Sequence, residues 1–166
     1  MSATQAMIAE LEQELATTRR VLERVPSDKL AWKPHEKSMS LGKLAMHVAS
    51  IPGYISSWAL EDSFTMTGAG SPEANSTTEI LATHDAGATQ AKTNLGKIGD
   101  AGLGKTWSLK TPDGKAVMSM PKAALLRSIA LNHYYHHRGQ LSVYLRLLNI
   151  PVPSIYGPSA DEQPFR

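Results

Sequence analysis

Leu131-Asn132-His133-Tyr134-Tyr135-His136-His137-Arg138-Gly139-Gln140-Leu141 reads as part of one long helix near the end of the chain. Leu126, Ile129, His133, His137, Gln140, Tyr144 and Leu148 recur at helical spacing across it. The stripe predicts a helix from about Pro121, where proline suits the first turn, to about Asn149. His133 and His137 stand one turn apart on that stripe, so both imidazoles should point toward the interior of a helical bundle. Paired histidines at this spacing can converge on one metal ion, as those of H-E-x-x-H do. Asn, Tyr and His surround His133 here, so the glutamate base of a zinc protease is missing.

Three further helices are expected upstream. Leu11, Leu15, Thr18, Leu22 and Val25 form a narrow stripe over about Thr4–Arg24, stopped by Pro26-Ser27-Asp28. Ser40 is a good N-cap for a second helix to about Leu60, with Leu41, Leu44, Val48, Ile51, Ile55 and Trp58 inward. Pro52 removes a hydrogen bond inside it and is expected to bend it just after His47. Residues Thr65–Thr78 read as a turn-rich loop. A third helix covers about Thr78–Ile98, with Gly87 and Gly96 weakening its regularity. Pro112-Asp113-Gly114 between Thr106–Lys110 and Lys115–Ser119 has the chemistry of a β-hairpin. The proline-rich segment after Pro151 should drape across a surface. The expected fold is all-α: a four-helix bundle with a short hairpin before the last helix, forming a single domain over residues 1–166.

Composition narrows the function classes. Seventeen Lys and Arg against fifteen Asp and Glu give a formal charge of +2, without long runs of one sign. This argues against nucleic-acid binding and against a membrane-surface role. Cysteine is absent, which excludes disulfides, thiolate metal sites and cysteine nucleophiles. With neither a secretory h-region at the start nor a run of eighteen apolar residues, a cytoplasmic protein is the expectation.

Two imidazoles need a third ligand for a tight site. Of the remaining histidines, His136 lies about 100° around the helix from His137 and faces elsewhere. His84 beside Asp85 suits a solvated surface, and His35 sits in a loop. His47 falls at the edge of the second helix's buried stripe, where it could face the last helix. A set of His47, His133 and His137 would leave coordination positions open, as reactive metal sites do. Gln140, one turn from His137, is placed to orient a ligand by hydrogen bonding. A ferritin-like di-iron site is excluded because no histidine has a glutamate three residues before it. By default Trp32, Trp58 and Trp107 anchor the core, the tyrosines pack, and Arg138 belongs to a charged helix turn.

The run from Asn132 to Leu141, with Tyr144-Leu-Arg146 and Ile150-Pro-Val-Pro-Ser-Ile-Tyr-Gly-Pro-Ser-Ala-Asp-Glu162 after it, resembles the C-terminal signature of the DinB family. Leu30-Ala-Trp-Lys-Pro34 and Met39-Ser-Leu-Gly-Lys-Leu-Ala-Met-His47 are similar to that family's loop and second-helix motif. The resemblance implies a four-helix bundle with a long crossover, commonly a homodimer, and a divalent metal on His47, His133 and His137. It also implies a metal-dependent hydrolase or transferase, in which a water or a low-molecular-weight thiol is the nucleophile on a small-molecule substrate. Zinc or nickel is the first expectation for the ion, with iron, copper and manganese compatible. The alternative is a non-catalytic metal-binding bundle that acts through dimerisation or a partner. No general base or other catalytic side chain is identified.

Overall fold

The structure is a computed structural model, and it describes residues 1–68 and 70–163. Ser2 caps α1 (Ala3–Leu22) in a reciprocal capping box with Gln5. A 3-10 turn (Ser27–Lys29) leads to Ser40, whose hydroxyl accepts from Lys43 N and opens α2 (Leu41–Trp58). A short strand, β1 (Ser63–Thr65), precedes α3 (Thr77–Leu103), capped by Ser76. β2 (Thr106–Lys110) and β3 (Ala116–Pro121) follow. The last helical stretch has three pieces end to end: α4 (Lys122–Ala124), a π-helical segment (Leu125–Leu131) and α5 (Asn132–Leu147).

Helix packing runs in a ring, with α1 against α3, α3 against α2, α2 against α5 and α5 against α1. Consecutive α1 and α2 therefore lie across the ring, joined by the crossover at residues 23–40. Leu15, Val21 and Leu22 of α1, Leu44, Val48, Ile51 and Ile55 of α2, Ile80 and Leu95 of α3, and Leu141 and Leu145 of α5 fill the shared core. Burying such side chains is worth roughly 1.5–3 kcal/mol each.

The α2–α3 contact rests on two glycines. A Cβ on Gly53 would meet Gly87 Cα at 3.0 Å, so the backbones touch where the helices cross. Gly87 thus serves packing, and α3 is regular through it. The irregularity lies at Gly99, with φ 57° and ψ 174° inside the helix. Beside this contact α2 continues without a break through the buried Pro52.

The fold is mostly helical, as the periodicity predicts, but the all-α expectation needs correction. β1 pairs in parallel with β2, and β2 in antiparallel with β3, giving a small three-stranded sheet in the order β1-β2-β3. Ser63-Phe-Thr65 is too short to show an alternating pattern, so the sequence reveals only the hairpin. Trp107 of β2 is buried and seals the sheet against the helices. No described helix is long and apolar enough to cross a membrane.

The segment after Pro151 is draped as expected, with Val152, Pro153 and Ser154 buried. Asp161 accepts from Val152 N at 2.9 Å and Arg146 pairs with it, while Glu162 pairs with Arg20.

Candidate metal centre

Three imidazoles meet where α2 faces α5. One ligand atom from each of His47, His133 and His137 lies within 4.8 Å of the other two, an arrangement able to hold a metal ion. The ring centroids of His47 are 5.0 Å from those of His133 and 4.5 Å from those of His137, and His133 and His137 are 4.5 Å apart.

The outer nitrogens of His47 and His137 are already engaged. His137 Nδ1 lies 2.7 Å from Gln140 Oε1, a pure acceptor, so Nδ1 carries the proton and Nε2 presents its lone pair. His47 Nδ1 is 2.8 Å from Ser71 Oγ. His47 Nε2 and His133 Nε2 then face each other at 3.2 Å. Two nitrogens held ~2.0–2.1 Å from one cation stand roughly 3–3.4 Å apart, so this spacing fits a shared ion. Fixing the outer nitrogen of a ligating histidine is also the usual way its ring is oriented toward a metal.

Electrostatics agree with neutral ligands. Burial pushes the His47 imidazole down to about 4, with His137 and His133 adding to the effect. Burial also lowers His133 and His137, each further depressed by a neighbouring imidazole. Neutral nitrogens are what a cation requires.

The histidines are not in the core stripe of the last helix. That stripe is Leu131, Tyr134, Arg138, Leu141 and Leu145, and His133 and His137 lie one position aside, half-buried. A ligand at the edge of the interior stays open to a cleft, whereas one in the middle would be sealed. Arg138 occupies the core position instead and is only 1% exposed. It donates to Glu14 Oε2 at 2.6 Å and Thr18 Oγ1 at 3.0 Å, and also bonds Tyr156 Oη.

The other histidines fall outside the cluster. His136 is exposed, facing away from the cluster as expected, and His35 in its loop is exposed as well. His84 is not: it is 2% exposed, and its Nε2 lies 3.0 Å from Tyr134 Oη. Its polar neighbour Asp85 suggests solvent, but α3 turns the ring inward against α5.

Beside His47 a cleft of about 600 Å³ opens. Tyr54 and Trp58 of α2, Phe64 of β1 and the loop through Met66 and Ser71 line it. Trp58 is partly buried and packed against the core, as expected, and its outer edge also forms a wall of the cleft. Ser71 is invisible as a site residue in the sequence, since a serine in a polar loop carries no signal. Tyr54 and Trp58 stand seven and eleven residues after His47, a helical spacing that places all three on one side of α2.

A mostly helical protein with a three-histidine cluster between two of its helices is the class this geometry defines. The chain belongs to the DinB family, whose family model matches residues 1–164. It is similar to the crystal structure of a DinB-like protein from Bacillus cereus ATCC 10987, with a TM-score of 0.73 and 22% identity over 92% of this chain and 97% of that one. A DinB-like protein from Bacillus subtilis gives a TM-score of 0.68 and 18% identity, covering 88% and 95% of the two chains. At these identities the likeness concerns the fold. The uncharacterized protein YrdA of Bacillus subtilis strain 168 is 44% identical over 43 residues. That match spans 26% of this chain and 25% of YrdA.

Proposed function

We propose that this protein is a divalent-metal-dependent enzyme, a hydrolase or a thiol-dependent transferase, with His47, His133 and His137 as its metal ligands. The observation carrying the reading is the 3.2 Å approach of His47 Nε2 to His133 Nε2 while Ser71 and Gln140 engage the outer nitrogens of His47 and His137. At that spacing His47 and His133 can share either one ring proton or one cation, and His137 presents a third ring nitrogen beside them. Histidine-only donors suit zinc or nickel, and also iron, copper or manganese. When bound, such an ion supplies the Lewis acidity that turns a water or a thiol into a nucleophile near neutral pH.

The chain's own residues supply the rest. Gln140 and Ser71 hold two rings in place, and the cleft beside His47 leaves one side of the cluster accessible to a small molecule. A homodimer with the cluster accessible in each copy belongs to the same proposal. It rests on family membership.

Elemental analysis of natively purified protein tests the site, followed by a screen of hydrolase and thiol-transfer substrates on the wild type and His133→Ala. The expected result is near one metal per chain, lost together with activity in the variant. A stable variant with full metal content refutes the ligand set. Metal loss without any activity in either protein favours the non-catalytic bundle.

A further inference from the structure

Aromatic rings continue away from the cluster along one face of α2. Tyr54 lies 6.5 Å from the His47 ring, Trp58 is 5.1 Å from Tyr54, and Phe64 stacks on Trp58 at 4.1 Å with an interplanar angle of 20°. All three are only partly buried, and Met66 beside them is 38% exposed. Such rings normally close inside a core. Here they pack against the core on one side and line, on the other, a cleft whose volume lies within the ~300–1,000 Å³ range of small-molecule sites.

The second observation is charge. Among the described residues that line the cleft there is no Asp, Glu, Lys or Arg. Its polar groups are the hydroxyls of Ser50, Thr67, Ser71 and Tyr54. A charged group seated among the rings, away from His47, would lose its hydration without an opposite charge to replace it. A flat, uncharged one loses little and gains ring contact.

We infer that the cleft takes substrates bearing an uncharged flat aromatic or conjugated group, seated against Tyr54, Trp58 and Phe64 with the reacting group toward His47. The assignment of the reacting end rests on the metal-enzyme reading above; the ring subsite does not. Trp58 is the central contact, because it touches both other rings. Met66 and Thr67 also line the cleft.

Isothermal titration of the chelator-treated, metal-free protein with naphthol, naphthalenesulfonate and cyclohexanol tests this, with the zinc-loaded protein titrated alongside. Naphthol should bind at least about tenfold more tightly than the other two, the scale of one or two aromatic contacts. Trp58→Ala, with its metal content unchanged, should remove that preference. Met66→Lys, a change on an exposed rim, should shift preference toward naphthalenesulfonate. Similar affinities for all three probes, or a preference that survives both substitutions, overturns the assignment. Naphthol selectivity in a protein that takes up no metal would sink the metal reading and leave the ring subsite standing. Metal uptake without naphthol selectivity would do the reverse.

Discussion

Arg138 and Glu14 form an ion pair at 2.6 Å in which both side chains are nearly dry, 1% and 8% exposed. The pair ties α5 to α1 one residue after His137, so the orientation of the site helix depends on it. Removing one partner of a buried pair costs about 3–5 kcal/mol, because the other charge is left without compensation. Arg138→Ala is therefore expected to destabilise the fold on that scale in urea denaturation. A paired Arg138→Met, Glu14→Met variant should recover most of the loss.

Gln140→Ala frees the outer nitrogen of His137. Loss of such a supporting hydrogen bond typically weakens metal affinity about 10–100-fold. Chelator competition on the two proteins measures it. Ser71→Ala should act on His47 in the same direction, with circular dichroism unchanged in both variants.

His84→Ala gives the contrasting case. The buried Tyr134 hydroxyl loses its partner at 3.0 Å, a cost of about 1–3 kcal/mol. Metal content should remain that of the wild type. A His84→Ala protein without metal would mean that the cluster depends on this distant contact.

The metal-free protein should lose stability as pH falls. His47 is held down to about 4 against 6.5 for a free imidazole, and His133 and His137 are lowered too. Between those values the unfolded chain binds more protons than the folded one, so stability drops as pH goes from 6.5 toward 4 and is flat above 6.5. Thermal melts in chelator across that range check it. Saturating metal should shift the decline to lower pH, because bound nitrogens resist protonation.

Gly53→Ala should be costly although the substitution favours helix. The new methyl would stand 3.0 Å from Gly87 Cα, and backbone cannot swing aside as a side chain can. Overpacking of this kind costs about 1–3 kcal/mol. Because His47 lies on the same helix, reduced metal affinity should accompany the fall in melting temperature.

Helices with apolar residues at three- and four-residue spacing are plain in the sequence, and so are Ser40 as a cap and the hairpin at Pro112-Asp113-Gly114. Periodicity is local information, and those elements need nothing more. The three histidines are legible for the same reason, since helical phase alone brings His133 beside His137 and places His47 near a buried edge. What escapes the sequence depends on distant partners. Arg138 reads as exposed until Glu14, some 120 residues away, accepts its charge. His84 reads as solvated until Tyr134 receives it, and β1 has no signature until β2 pairs with it.

The π-helical segment Leu125–Leu131 gives the last helix slack in length. Its ladder closes over one residue more than an α-helical turn does, the form that a single inserted residue takes inside an α-helix. A one-residue deletion within it can therefore be absorbed by reverting to α-geometry, leaving His133 and His137 aimed at α2. The same deletion between His133 and His137 has no such reserve and swings one imidazole by about 100° out of the cluster. The chain thus has slack in length just before the site and none between its two paired histidines.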